Sequence, residues 1–340
     1  MSEQPSPQKR PRTDADDAVS APDPKTYKQS KIWMNYGDII LQVNDTLFRV
    51  NRDVLAKNSL TFRGMFDLPQ PSNETQIKGC PIVLLTGDSP KDVELLLGAF
   101  YDPFYHRLKL QFDVLAASLR LGRKYEAPAF KQDAARRLHA EFPAILNVWD
   151  RRQVRERSNG LEMLRSTPGL YIDLLNLAYE NGVYTCVPAL ALRCLSLYTL
   201  SELFAGIERE NGSRAMLPDE TKLTLARALE AIQLFQWHNL EWLREEGEPV
   251  PIEDHEFEQY DKCDYQRQMM CHLNVAPARV DITYLLEPWE KVAGGKWVGA
   301  LCEDCEKAAK VEHNAGRQRA WDQLPIFFGL PEWKDLKDMD

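Results

Sequence analysis

The chain has 340 residues, which is enough for about two domains of ordinary size. Its 42 basic and 51 acidic residues give a formal net charge of −9, so general binding to nucleic acid or to an anionic membrane is disfavoured. Hydrophobic residues make up 44% of the chain and charged residues 27%, which is typical of a globular protein and excludes a collagen-like or wholly disordered chain. No uninterrupted apolar run reaches the ~18 residues of a membrane helix, so no membrane span is predicted.

The first 28 residues differ in composition from the rest of the chain. They contain five prolines and few large apolar side chains. A segment of this kind cannot bury enough surface to offset the entropy lost on ordering. We therefore predict a disordered tail over residues 1–28.

The seven cysteines bear on the cellular compartment. Seven is an odd number, and the residues after Met1 lack the basic and then apolar pattern of a secretory signal. Free or metal-bound thiols are then expected rather than a disulfide framework. The expected location is the cytoplasm or the nucleus.

The first regular structure predicted along the chain is a β-hairpin followed by two short helices. Apolar residues alternate with more polar ones over residues 38–43, which is the pattern of a half-buried strand. Residues 44–46 have the composition of a turn, and residues 47–50 form the returning strand. Asn51 is expected to cap one helix, and Ser59 opens the next.

A further strand and three helices come next along the chain. Residues 82–85 are a short continuous apolar run, as in a buried strand. Ser89 and Pro90 suit the first positions of a helix, and two more helices are predicted over residues 112–119 and 128–138. The predicted class is α+β, with a small sheet and a cluster of helices.

Five sequence motifs in this segment occur in a known order. They are Asp38-Ile39-x-Leu41-x-Val43, Phe48-x-Val50-Asn51-Arg52-x-Val54-Leu55-Ala56, Ser59-x-x-Phe62-x-x-Met65-Phe66, Asp92-x-x-x-Leu96-Leu97 and Phe100-Tyr101. Together they make residues 29–145 resemble a BTB/POZ domain, and the chain is similar to the expanded fungal family of BTB proteins. The resemblance implies the BTB/POZ fold.

The same resemblance implies protein docking rather than chemistry. BTB domains form homodimers through their first strand and first helices, and some members hold a cullin scaffold as substrate adaptors of cullin-RING ubiquitin ligases. The residues of this chain that match the dimer face are Trp33, Met34, Val54 and Phe62. The residues that match the partner-docking loop and helix are Phe104, Tyr105 and Phe112.

Two positions depart from the family's pattern. Asn51 stands where a histidine is usual, and asparagine is still expected to cap the helix. The loop over residues 102–107 lacks the glutamate of the apolar-any-Glu triplet that is common in cullin-binding members. The second departure argues against a cullin-adaptor role.

The remaining residues, 146–340, have the pattern of an α-helical domain. Apolar residues recur at helical spacing over residues 172–178, 189–204 and 223–243, with Gly and Pro at the joints. No repeat of 20 to 50 residues is present, which excludes kelch and ankyrin arrays.

Four cysteines of this region form a candidate zinc site. Cys302 and Cys305 have the spacing of a metal knuckle, and Cys263 and Cys271 lie upstream. Four thiolates, or three with one imidazole from His272 or His313 nearby, would complete a closed tetrahedral structural site. The alternative is that Cys302 and Cys305 lie in the first turn of a helix, with Cys263 and Cys271 buried separately.

These observations predict a non-enzymatic protein-interaction module that forms a homodimer. A cullin scaffold is one candidate partner, and a nuclear or transcriptional scaffold is the alternative function. The chain lacks the Gly-x-Gly-x-x-Gly, Gly-x-x-x-x-Gly-Lys-Ser/Thr and Gly-x-Ser-x-Gly signatures of common enzymes. An enzyme that uses the Cys, His and Trp residues of the C-terminal region remains the alternative of another class.

Overall fold

A computed structural model gives the fold of most of the chain. The residues that it describes are 27–68, 76–102, 109–159, 161, 164–244, 249–252, 257–274, 282, 286–292 and 300–339. The predicted disordered tail therefore lies outside the described residues, except for its last two positions.

The N-terminal part is a small sheet with five helices, which confirms the predicted α+β class. Its elements are β1 (Lys28–Trp33), β2 (Ile39–Val43), β3 (Thr46–Val50), α1 (Arg52–Asn58), α2 (Leu60–Asp67), β4 (Gln76–Ile77), β5 (Cys80–Leu84), α3 (Pro90–Tyr101), α4 (Phe112–Lys124) and α5 (Pro128–Glu141).

The five strands form one mixed sheet in the order β1-β3-β2-β5-β4. Strand β2 pairs antiparallel with β3 and parallel with β5. One face of the β2–β3 hairpin places five side chains in the main core, namely Ile39, Leu41, Val43, Phe48 and Val50. The other face buries a smaller apolar cluster, namely Ile40, Leu47 and Cys80, with Trp33, Ile77 and Ile82 packed against it. The alternation predicted a more polar outer face, but the sheet buries apolar side chains on both faces.

The first two helices are capped in different ways. The Ser59 side chain accepts a hydrogen bond from the backbone amide of Phe62 at 3.1 Å, which is the expected cap of α2. Asn51 occupies the N-cap position of α1, but its side chain accepts no hydrogen bond from that helix. The carboxylate of Asp38 instead accepts from the amide of Arg52 at 2.8 Å. The prediction that the Asn51 side chain caps α1 is therefore wrong.

The C-terminal part is mostly helical, as predicted, with one two-stranded hairpin that the sequence pattern did not indicate. Its elements are α6 (Leu146–Asn159), α7 (Leu170–Glu180), a 3-10 turn (Tyr184–Cys186), α8 (Val187–Leu197), α9 (Leu200–Ala205), β6 (Ile207–Glu208), β7 (Arg214–Ala215), α10 (Asp219–Asn239), α11 (Glu241–Arg244), α12 (Phe257–Asn274), α13 (Trp289–Val292) and α14 (Glu303–Phe327). Among the described residues, no helix is both long enough and apolar enough to cross a membrane.

One hydrophobic core continues from the sheet into the C-terminal helices. Phe142 meets the ring of Tyr171 edge-on, with the ring centroids 6.1 Å apart. Further along the chain, the indole N–H of Trp321 in α14 donates to the backbone carbonyl of Ala144 at 3.0 Å, and its ring packs against Trp149. The predicted domain boundary at residue 145 therefore falls inside a shared core.

Two buried ion pairs lie at this boundary. Arg137 and Asp133 pair within α5, with Nε and Oδ2 2.6 Å apart. Glu141 at the end of α5 pairs with Arg152 of α6, and both side chains are almost fully buried. Removing one member of such a pair would leave an uncompensated buried charge. The pair of Glu141 and Arg152 therefore stabilises the packing of α6 against the end of α5.

The C-terminal segment returns to the N-terminal part. The Asp338 carboxylate accepts hydrogen bonds from the amide and the hydroxyl of Thr185 at 2.8 and 2.9 Å, and lies 2.8 Å from Nε2 of His139. The next residue, Met339, donates its amide to the carbonyl of Gly182 at 2.8 Å. A Cβ atom at Gly182 would lie 2.7 Å from the Met339 side chain, so the close approach depends on glycine.

Replacing Trp321 by alanine tests the shared core. Trp321 is only 2% exposed, and Trp321→Ala should lower the free energy of unfolding by about 3–5 kcal/mol. Because the core is continuous, the two parts of the chain should be destabilised together in urea or thermal denaturation. Trp237→Ala is the control, since Trp237 is 43% exposed, and it should change stability much less. A Trp321→Ala variant with unchanged stability would contradict the described packing.

Asp338 should make stability depend on pH. Burial raises the pKa of this carboxyl, but hydrogen bonds from His139 and Thr185 outweigh that effect and lower it below its usual value. The charged form therefore stabilises the fold above the unfolded-state pKa of about 4, and this contribution is lost as pH falls through the lower folded-state value. We expect Asp338→Asn to lower the free energy of unfolding by about 1–2 kcal/mol at pH 7.

Denaturation at several pH values between neutrality and strong acid measures this effect. The difference between wild type and Asp338→Asn should shrink towards acid, because protonation removes the same charge from the wild type. Asp335→Asn is the matched control, since Asp335 is an exposed neighbour on the same segment. A difference that stays constant with pH would contradict the role of the carboxylate.

Candidate interaction surface and thiol cluster

Strand β1 lies at one edge of the sheet. Within the described residues it pairs only with β3, through bonds that include the Met34 amide to the Arg49 carbonyl at 2.8 Å. The buried Ser30 hydroxyl donates to Glu94 of α3 at 2.8 Å, which fixes the strand against the helices. An edge strand of this kind carries backbone groups that can pair with another chain.

The loop that follows this strand carries an exposed aromatic side chain. Tyr36 is 93% exposed and belongs to the loop of residues 34–38, called here the Tyr36 loop. The side-chain amide of Asn51 donates to the Tyr36 carbonyl at 3.0 Å, and Nε of Arg49 donates to the Gly37 carbonyl at 2.8 Å. A Cβ atom at Gly37 would lie 2.9 Å from the Val50 carbonyl oxygen, so the loop is packed closely on β3. The exposed ring therefore projects from a firmly held backbone.

Three of the four predicted dimer residues lie near this loop. Trp33 and Met34 are half-buried at the end of β1, and Val54 is half-buried in α1, whose first residues the loop contacts. The ammonium of Lys78 lies 5.0 Å from the centre of the Trp33 ring. The sequence analysis did not single out Tyr36, because one tyrosine in a polar turn carries no periodic signal.

Phe62 has a different environment from the other three. It is 3% exposed and stacks on the ring of Tyr125 at 4.9 Å, inside the chain's own core. A side chain already covered by its own chain has no surface left to offer a second copy. The structure thus places Phe62 in the chain's own core and not on the surface where the dimer contact was predicted.

The predicted partner-docking residues are only partly described. Phe104 and Tyr105 lie outside the described residues. Phe112 is the first residue of α4, where it is half-buried and packs against the main core. Its neighbour Asp113 forms an exposed ion pair with Lys91 at 2.6 Å.

Three cysteines of the C-terminal part come together in space. The Sγ atoms of Cys263 in α12, Cys302 at the N-cap of α14 and Cys305 in its first turn lie within 4.8 Å of one another. We call these three residues the thiol cluster. Cys271 lies outside this group, so the structure brings together three of the four predicted ligands. The physical reason is that Cys271 follows Cys263 by eight positions, a rise of about 12 Å along α12.

Each sulfur of the thiol cluster accepts a hydrogen bond from a backbone amide. The Cys305 amide donates to Sγ of Cys302 at 3.4 Å, the Cys302 amide donates to Cys263, and the Ile252 amide donates to Cys305. The side-chain amide of Gln259 also donates to Sγ of Cys263, at 3.3 Å. Sequence patterns cannot show these donors, since they depend on how three separate segments pack.

The hydrogen bonds affect the three thiols unequally. Burial raises the pKa of Cys263, but the donors from Cys302, Gln259 and Cys305 outweigh it, and the net effect lowers this pKa below its usual value. Burial raises the pKa of Cys305, and the neighbouring sulfurs raise it further. The pKa of Cys263 is therefore lowered and that of Cys305 is raised, although the two sulfurs are neighbours.

Comparison with known proteins gives one finding. The family model of the BTB/POZ domain matches residues 28–141, about a third of the chain. No curated protein matches the chain. The matched residues coincide with the sheet and helices α1–α5, and their order is the one predicted from the motifs. Residues 28–141 are therefore a BTB/POZ domain, and the chain is a protein that contains one.

Proposed function

We propose that this chain is a non-enzymatic interaction protein that forms a homodimer through the BTB/POZ domain and docks a second protein. The BTB/POZ domain belongs to a protein-interaction family, which is the general basis of the proposal. The observation that carries the finer statement is the exposed ring of Tyr36 in the loop that follows the edge strand β1.

The Tyr36 loop and the β1 edge complement each other as a docking surface. Among the described residues one side of β1 has no strand partner, and the partly or fully exposed side chains of Met34, Tyr36 and Val54 offer apolar contact. Aromatic side chains are enriched among residues that dominate binding energy. A second copy of the same surface would supply both the backbone groups that pair with the edge and the apolar side chains that cover the ring. Most homodimers have two-fold symmetry, in which the same surface of each copy forms the interface.

For the docked protein we propose a cullin scaffold, held through Phe104, Tyr105 and the first turn of α4. Phe112 in that turn is half-buried, so part of its ring remains exposed. Such an adaptor would act in the cytoplasm or the nucleus, where free thiols persist. The C-terminal helices would then present the protein to be modified.

The first test is the mass of the full chain in solution. Light scattering coupled to gel filtration should give twice the mass of one chain at tens of micromolar. Tyr36→Lys should weaken the dimer about tenfold or more, because it places a charge at the centre of the proposed interface. It should leave the monomer folded, since the replaced ring is almost fully exposed.

Phe257→Lys is the matched control for this substitution. Phe257 is also a highly exposed aromatic residue, 82% exposed at the start of α12. The Phe257→Lys variant should form the dimer as strongly as the wild type does. A wild-type chain that is strictly monomeric, or a dimer unaffected by Tyr36→Lys, would refute the proposed interface.

The second test is recovery of a cullin with the tagged full chain. Replacing both Phe104 and Tyr105 by alanine should reduce cullin recovery by about thirtyfold or more, as expected for two central interface aromatics. The dimer should remain. Phe204→Ala, which truncates an exposed aromatic on α9, should leave recovery unchanged. Recovery of chromatin proteins in place of any cullin would instead favour the nuclear scaffold.

A further inference from the structure

The thiol cluster gathers three of the seven cysteines from two separate helices. Cys263 and Cys302 are 39 positions apart in the chain, yet their Sγ atoms and that of Cys305 share a space 4.8 Å across. Cys263 and Cys305 are fully buried and Cys302 is half-buried. Thiolate sulfurs bind soft or borderline metal ions, whereas Mg²⁺ and Ca²⁺ prefer oxygen ligands. A group of three sulfurs is therefore a donor set for an ion of the first kind.

Several hydrogen-bond donors converge on the three sulfurs. Three backbone amides and the Gln259 side chain donate hydrogen bonds to them. Hydrogen bonds of this kind stabilise thiolates and orient metal ligands. Three thiols that were merely buried would gain little from four converging donors.

The cluster also lies where the fold has a small core. Residues of α11, α12, α13 and the start of α14 form an apolar cluster that is separate from the main core, and Cys263 and Cys305 are members of it. Small cores are commonly stabilised by a metal ion or a covalent link. An ion held here would join α12 to the first turn of α14.

We propose that Cys263, Cys302 and Cys305 together bind one structural zinc ion. In tetrahedral zinc sites the Zn–S distance of about 2.3 Å places the sulfurs about 3.8 Å apart, so the three Sγ atoms need only a small contraction. Each thiol releases its proton to solvent as its Zn–S bond forms. The described residues bring no fourth histidine, cysteine or carboxylate into the group, so the proposal assigns three protein ligands, with a water molecule completing the tetrahedral coordination.

Zinc content of the purified full chain is the direct test. Protein produced with added zinc and without chelator should contain about one equivalent by elemental analysis. Cys302→Ser should reduce this to below about 0.1 equivalent. Serine is itself a good N-cap residue, so this variant keeps the hydrogen bond that begins α14 and removes only the sulfur.

Cys271→Ser is the matched control. Cys271 lies on α12 beside the same apolar cluster but outside the thiol cluster, so this variant should keep its full equivalent of zinc. Zinc below about 0.1 equivalent in the wild type would overturn the proposal. So would zinc retained in Cys302→Ser, or a disulfide between two of the three cysteines in the mass spectrum of the non-reduced protein.

A second measurement uses the unsubstituted chain and so does not depend on how a variant folds. Cobalt added to the metal-free protein should give the intense visible bands of tetrahedral cobalt bound to thiolates, and zinc should displace them. Chelation of zinc should lower the thermal stability of the wild type but not that of Cys302→Ser. Absence of the cobalt–thiolate bands would overturn the proposal.

Discussion

Burial of helix α5 between the sheet domain and the C-terminal helices is the constraint on which the rest of the structure depends. The helix contributes Phe130, Ala134 and Leu138 to the main core. Its last residue, Glu141, is buried with Arg152 of the next helix. A buried carboxylate without that guanidinium would be strongly destabilising. The BTB/POZ domain and the helices after it are therefore folded against each other rather than linked as independent units.

This arrangement determines which surfaces remain free. The side of the domain formed by α5 contacts the C-terminal helices, whereas β1 is an edge strand among the described residues and the Tyr36 ring is exposed. Dimerisation at the β1 edge would then leave the shared core undisturbed. Two copies of the whole chain would be held together, each with its helical region in a defined orientation, because the core allows little relative movement of its parts.

Unlike helix α5, the thiol cluster lies outside the main core. It belongs to a small apolar cluster that the main core does not include, built from short helices and the first turn of α14. A zinc ion would supply there what a large core supplies elsewhere, since metal-binding energy contributes directly to folding. The same helix α14 carries Trp321 into the main core nearer its other end, so an ion at its start would stabilise a helix that also belongs to the main core.

Local patterns in the sequence were enough for the class of fold and for several helix starts. The alternation over residues 38–43 predicts strand β2, and Ser59 caps α2 as its residue type suggests. Such features depend on near neighbours in the chain, whose geometry is set by backbone sterics and short-range hydrogen bonds. The same reasoning wrongly predicted that the Asn51 side chain caps α1. The carboxylate of Asp38, thirteen positions upstream, instead accepts a hydrogen bond from the amide of Arg52.

The sequence by itself determined the BTB/POZ domain, the helical nature of the C-terminal part, and the Cys-x-x-Cys pair at the start of α14. Only the tertiary structure decided that Phe62 is buried, that Tyr36 is exposed, and that Cys263 rather than Cys271 joins that pair. Each of these outcomes depends on contacts between segments far apart in the chain. Residue type and spacing limit what a side chain can do, but packing between distant segments determines which side chains meet and which remain in solvent.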